Sequence, residues 1–169
     1  FYLFNKLKFS KSRSHTILAK NMANIYDTDA LRYFLSLTRP ETIETEFCLT
    51  SFEQTVNNDL IKNLSEWIVD LAQCINDLYD NKCPDGGEIT IEHQKFLFQL
   101  NTFIKTCSNF YQVDYFSPIN IVKNIQYFLS CCQTLKQSRH HDITNAEHRT
   151  FIALELTALK YFCMVCYPI

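Results

Sequence analysis

Glycine is almost missing from this chain. The only two among 169 residues are adjacent, Gly86 and Gly87. Loops that cradle phosphates need glycine at spaced positions, so Walker-type loops and dinucleotide fingerprints are excluded. Proline is scarce as well, at Pro40, Pro84, Pro118 and Pro168. So few turn-formers leave little room for the many tight turns of an all-β fold. No apolar run reaches the roughly 18 residues of a membrane-spanning helix. The segment from Phe151 to Tyr167 comes nearest, and Glu155 and Lys160 interrupt it. A secretory leader pattern is also lacking. Acid is absent from residues 1–26, which carry Lys6, Lys8, Lys11, Arg13 and Lys20 before the first carboxylate, Asp27. Of 16 basic and 18 acidic residues overall, this leaves 11 against 18 for the remainder. The chain reads as a basic arm, 1–26, on an acidic helical domain, 27–169.

What is present is amphipathic helix. Leu60, Leu64, Trp67, Leu71, Ile75 and Leu78 recur at three- and four-residue steps, with Ile61, Ile68, Ala72 and Tyr79 beside them. That spacing predicts one broad buried face over Asn58–Asn81. The turn Lys82-Cys83-Pro84-Asp85-Gly86-Gly87 ends it. Thr90 is placed to cap a helix over Ile91–Cys107, and Ser117-Pro118 to open one through Lys136. Thr144 with Glu147 forms a capping box before a helix over Asn145–Val165. Shorter helices are expected over Ser14–Tyr26 and Ala30–Thr38, and Ser51 with Gln54 reads as a capping box leading into the long stripe. Glu41–Cys48 is ambiguous. These elements predict an all-α fold of about six to eight helices, a compact multi-helix bundle or a short α-solenoid of helix pairs. Trp67, Leu71, Phe103, Phe128 and Phe162 are the expected core.

The eight cysteines fall mostly beside apolar residues within helical stripes. Free cysteine behaves as a small buried apolar group, which points to a reducing intracellular compartment: cytoplasm, nucleus or an organelle. Cys163 and Cys166 with His140, His141 or His148 make a usable zinc set on paper. A CxxC pair in an apolar helical end is read instead as buried thiols, and no metal or other cofactor is expected. Nucleophilic catalysis needs a base and an orienting group around Ser or Cys. No local signature marks one, so the chain is read as a non-enzyme.

The arm Phe1–Arg13 alternates bulky apolar residues with Lys6, Lys8, Lys11 and Arg13. Tyr2, Phe4 and Phe9 are expected to pack while the cations reach solvent. Such a segment can strap across an acidic body, lie on an anionic membrane surface, act as an organelle presequence, or meet RNA phosphates. Phe110–Phe116 is an aromatic loop between two long helices, and Tyr111, Tyr115 and Phe116 are its candidate partner contacts. The expectation is therefore a non-enzymatic interaction module or assembly subunit. It would take a basic amphipathic partner helix or peptide in an inter-helix groove, along the loop and the exposed edge of helix 118–136. The main alternative is an RNA-contacting subunit of a ribonucleoprotein working through residues 1–20. The chain opens on Phe1 rather than Met, as a fragment of a larger protein, a processed product or an incomplete N-terminus would.

The apolar helix 145–165 within a compact helical domain of this size resembles the Bcl-2-like class of viral modulators. That resemblance implies an all-α regulator which binds partner helices. The Asn-Trp-Gly-Arg signature of that family is absent, since Trp67 sits in Ser65-Glu66-Trp67-Ile68.

Overall fold

A computed structural model describes residues 2–4, 6–139 and 144–168. The chain begins not with helix but with strands β1 (Tyr2–Phe4) and β2 (Leu7–Lys8). Then come α1 (Ala19–Ala23), α2 (Thr28–Leu37) and β3 (Thr45–Phe47). β1 lies at the centre of a three-stranded sheet, antiparallel to β2 and parallel to β3. A parallel pair needs a crossover, and α1 with α2 supplies it. The all-α expectation is thereby corrected. The apolar–basic alternation of the arm was a strand signal of period two, too short at three residues to stand out from a strap.

The expected helix over Ser14–Tyr26 is shorter than its sequence suggests. Ser14 sits at φ 55°, in a turn, and caps nothing. Asp27 starts α2 by accepting hydrogen bonds from the amides of Asp29 and Ala30 at 2.9 and 3.1 Å. The cluster beneath the sheet is Ala30, Leu31, Phe34, Phe47 and Phe52, with Tyr2, Phe4 and Ile17 packed on it.

The long stripe folds as one rod in three parts: α3 (Leu49–Thr55), a π-helical segment (Val56–Ser65) and α4 (Glu66–Tyr79). Ser51 therefore lies inside a helix rather than at its cap. A π turn closes i→i+5 hydrogen bonds and takes in more residues than an α turn. Ser65 Oγ donates to the Leu60 carbonyl at 2.7 Å, and Gln133 donates to the Asn63 carbonyl at 2.6 Å. Asp59 accepts from Tyr33 and Gln126 at 3.1 and 2.7 Å, which ties the segment to its neighbours on either side. The wider turn rotates part of the stripe outward. Ile61 is exposed, while Trp67 and Leu71 are fully buried. Asp80 and Asn81 then take left-handed conformations and end the rod.

α5 (Ile91–Phe110), α6 (Pro118–Arg139) and α7 (Asn145–Cys166) complete the bundle. Thr90 and Thr144 cap α5 and α7 as their sequences indicate. Phe103 stacks on Phe128 at 4.2 Å between α5 and α6, within the large cluster that holds Trp67, Ile121, Ile125 and Phe162. The five expected core residues are all buried. Gly87 meets α7 so closely that a Cβ there would lie 2.1 Å from the Ala146 carbonyl oxygen. Glu41 joins the two parts of the chain: its carboxylate accepts from Ser117 Oγ at 2.6 Å and from the Ile119 amide at 3.3 Å.

Candidate functional site

The basic arm is a built element. Phe4 pairs with Leu7 and Leu3 with Lys8, while Lys6 turns the chain at φ 64°. The Lys6 amide donates to the Glu46 carboxylate at 3.0 Å, which fastens this turn to β3. A second turn follows. Ser10 and His15 exchange backbone hydrogen bonds of 2.9 Å, and the Ser14 amide closes onto the Lys11 carbonyl at 3.2 Å. Lys11, Ser12 and Arg13 therefore project from a closed loop with exposed side chains. Ser10 Oγ and Ser12 Oγ lie 3.2 Å apart on the same loop. Behind it, Phe9 stacks on Tyr2 and Phe4 at 6.5 and 6.2 Å. His15 stacks on Phe4 at 5.0 Å and donates from Nε2 to the Phe4 carbonyl at 2.7 Å. The result is a cationic, hydroxyl-bearing turn on an aromatic base, the kind of surface that meets a phosphate. Lys11 and Arg13 lie on this loop, Lys8 on β2 before it, and Lys6 in the strand turn.

The other candidate residues divide differently. Tyr111 is half-buried and donates to the Val165 carbonyl at 2.7 Å, so it anchors the loop. Burial pushes its phenol well above the usual range. Tyr115 and Phe116 are exposed, and Arg39 lies over the Phe116 ring at 5.4 Å. His140 and His141 lie outside the described residues. His148 stacks on Tyr79, with Nδ1 2.7 Å from the Tyr79 hydroxyl and Nε2 3.9 Å from Cys74 Sγ. Burial raises the Cys74 thiol and holds it protonated, which does not suit a nucleophile. Cys163 is exposed and Cys166 half-buried at the end of α7. Among the described residues no group of three or more potential ligands could hold a metal ion. No helix there is long and apolar enough to cross a membrane.

Two features escaped the sequence reading. One is a buried ion cluster. Glu155, which reads along the chain as an interruption of an apolar run, accepts from Trp67 Nε1 at 2.9 Å. Its other oxygen lies 3.3 Å from Arg139 Nε, off the line a hydrogen bond needs, so that contact is one of charge. Arg139 also donates to Asp70, and Lys136 stands 3.7 Å from the same carboxylate. Burial pushes the Glu155 carboxyl up to about 7, against the pull of Arg139 and the Trp67 hydrogen bond. A carboxylate inside an apolar stripe was the available signal. The second is a cavity of about 550 Å³ where α2, the π segment, α6 and α7 meet, lined by Arg32, Tyr33, Leu60, Leu64, Phe162 and Cys166 among others. Its walls come from four separate stretches of sequence, so no local pattern announces it.

One enzyme family matches the start of the chain. The family model of class I tRNA synthetases (M) matches residues 1–71, from the basic hairpin into α4. The methionine–tRNA ligase of Pyrococcus abyssi is 30% identical over 82 residues, which are 48% of this chain and 11% of that protein. That of Methanosphaera stadtmanae is 28% identical over 103 residues, 61% of this chain and 15% of that protein. The chain thus spans about a ninth to a seventh of the length of these relatives. Among solved structures, Mycobacterium tuberculosis methionyl-tRNA synthetase in complex with methionyl-adenylate superposes with a TM-score of 0.89. It covers 99% of this chain and 34% of that one, at 16% identity.

These findings overturn the expected non-enzymatic interaction module or assembly subunit, and with it the scaffold role. They overturn the Bcl-2-like reading too, because the backbone follows a synthetase rather than a regulator of partner helices. The physical reason for the error is plain. The motifs excluded by the shortage of glycine are phosphate loops of other folds. A cationic turn of Lys, Ser and Arg needs no glycine, because Lys6 and Ser14 themselves take the left-handed positions.

Proposed function

We propose that this chain is part of a methionine–tRNA ligase. In this reading the β1–β2 hairpin with its Lys11–Arg13 turn contacts phosphate, and the bundle of α4–α7 orients the protein on tRNA. One observation carries the proposal: the residues matched by the synthetase family model include the exposed cationic turn together with the sheet that holds it. The adenylate named with the Mycobacterium enzyme carries a phosphate, and tRNA carries many. Fixed Lys and Arg side chains stabilise such anions through charge-assisted hydrogen bonds, and a cation held ready by its scaffold needs no reorganisation as charge develops. Hydroxyls at Ser10 and Ser12 add neutral donors beside the cations. A class I ligase would thus draw on this chain for binding and charge stabilisation. The remaining chemistry of activation belongs to parts of such an enzyme that lie beyond these residues.

The test is methionine-dependent aminoacylation of tRNA by the full-length protein. Lys11→Ala with Arg13→Ala is expected to lower kcat/KM by at least tenfold, the loss of about one charge-assisted contact. A full-length protein that charges no tRNA with methionine, or a double variant with undiminished kcat/KM, would sink the reading.

A second reading concerns the loop before α6. Val113 is 94% and Tyr115 68% exposed, which leaves an apolar tip in solvent. We infer a protein contact there, through Tyr115 and Phe116, with Tyr111 as the anchor beneath.

A further inference from the structure

Two cysteines share the last turn of α7. Cys163 and Cys166 stand at i and i+3, Cys163 exposed and Cys166 half-buried. Both line the cavity of about 550 Å³ where α2, the π segment, α6 and α7 meet. A small oxidant in solvent therefore reaches Cys163 directly and has an open path toward Cys166. Burial pushes the Cys166 thiol well above its usual range, so it stays protonated while the cavity wall is intact. The other exposed cysteine, Cys83, sits in the turn after α4 and donates to the Pro84 carbonyl at 3.6 Å. It has no cysteine beside it in sequence.

The same turn holds the aromatic loop. The Tyr111 hydroxyl donates to the Val165 carbonyl at 2.7 Å. That carbonyl lies between the two cysteines and is one of the last of its helix, which take partners from outside it. The Cys163 carbonyl accepts from the Tyr167 amide at 3.1 Å and closes the turn. Residues three apart on a helix have Cβ atoms about 5–6 Å apart. A disulfide needs about 3.5–4.5 Å. Joining Cys163 to Cys166 must therefore tighten this turn by about 1–2 Å. The Val165 carbonyl moves with it, and Tyr111 loses its acceptor. The cavity beside the turn leaves room for that movement.

We propose that Cys163 and Cys166 form a peroxide-sensitive pair whose disulfide frees the aromatic loop from α7. Peroxide passes one oxygen to the Cys163 sulfur, which becomes a sulfenic acid, and the other oxygen leaves as water. The Cys166 sulfur then attacks Cys163. The S–S bond forms, the S–O bond breaks, and the hydroxyl departs as a second water with the Cys166 proton. The two thiols are oxidised and the peroxide is reduced. Because Cys166 is held protonated, the second step is the slower one, and the sulfenic acid accumulates. A disulfide closed in a tightened turn is strained, so small thiols reverse it readily. Transient bonds of this kind occur where cysteines are otherwise kept reduced. The freed loop carries Val113, Tyr115 and Phe116, which are its exposed apolar residues. The switch is independent of the ligase reading, because it uses neither the cationic turn nor tRNA.

The experiment treats the full-length protein with hydrogen peroxide and follows its peptides by mass spectrometry. Dimedone should trap Cys163 early. The peptide that carries both cysteines should then hold a disulfide that dithiothreitol removes. Cys163→Ser and Cys166→Ser should each abolish that disulfide, and Cys83→Ser should leave it unchanged. Hydrogen exchange reads the consequence. The Tyr115 and Ser117 amides bond to the Gln112 and Phe110 carbonyls within the loop. On oxidation they should exchange roughly fivefold faster, the equilibrium worth of one lost hydrogen bond. Tyr111→Phe should show the faster exchange already when reduced, and oxidation should add little to it. A disulfide to Cys107 instead, a Cys163 sulfenic acid that never condenses, or a Cys163–Cys166 bond that leaves loop exchange unchanged overturns the proposal.

Discussion

The first fifty-five residues and the bundle that follows make themselves known in opposite ways. The N-terminal part is small, built from strands of two or three residues and three short helices around a cluster of Phe34, Phe47 and Phe52. Local rules gave little warning of its fold, because the pairing of β1 with β3 spans more than forty residues of chain. Yet this part, with the start of the rod, is where the family model matches. The bundle is the reverse. Its stripes, caps and core can be written down from sequence, but they are the stripes of any helical bundle. Its likeness to a solved structure is one of backbone shape, at 16% identity over nearly the whole chain. A core accepts many apolar sequences if volume and pattern are kept. Packing of this kind leaves its mark mainly in backbone.

The comparison can be pressed from the bundle side first. Trp67 is fully buried, and its indole N–H donates to Glu155. Trp67→Ala should cost about 3–5 kcal/mol, read as a shift of the whole denaturant transition. Over the same range, hydrogen exchange should show the amides of β1 and β3 opening well below the global free energy, since few buried contacts hold them. Sheet amides as protected as those of α6 would show that the two parts unfold as one unit and would break the comparison.

A somewhat smaller effect lies in the ion cluster. The Glu155 carboxyl stands at about 7 in the fold against an ordinary 4.5. A folded pKa above the unfolded one favours the protonated acid. Its contribution is fully present below about pH 4.5 and is lost as pH rises through about 7, a change of about 3 kcal/mol at most. Bundle stability should therefore decline between pH 5 and pH 8 relative to Glu155→Gln, whose profile should be flatter there. Equal slopes for the two proteins would show that Arg139 and Lys136 already hold the carboxylate charged.

The smallest stability effect belongs to the aromatic loop. Tyr115→Ala should change unfolding free energy by less than about 0.5 kcal/mol, as exposed positions do. Phe116→Ala adds the loss of the Arg39 contact, at most about 1 kcal/mol. The double variant should fold normally and lose capture of any protein that binds the loop. Undiminished capture would remove Tyr115 and Phe116 as contacts.

Sequence by itself determined the helices of the bundle, because helical period, capping hydroxyls and turn residues act over four residues or fewer. Thr90, Thr144 and Ser117-Pro118 sit where their local chemistry puts them, and Trp67, Leu71, Phe103, Phe128 and Phe162 are buried as their stripes require. It also determined that the arm would be cationic, with Tyr2 and Phe4 half-buried, whereas Phe9 stacks on them and stays 41% exposed. Tertiary structure alone decided that this arm is a hairpin, since β1 needs β3 to complete its hydrogen bonds. It alone set Glu155 against Arg139 and Trp67. Each of these joins residues far apart in the chain. Their energies depend on distances that no local pattern of apolar and polar residues records.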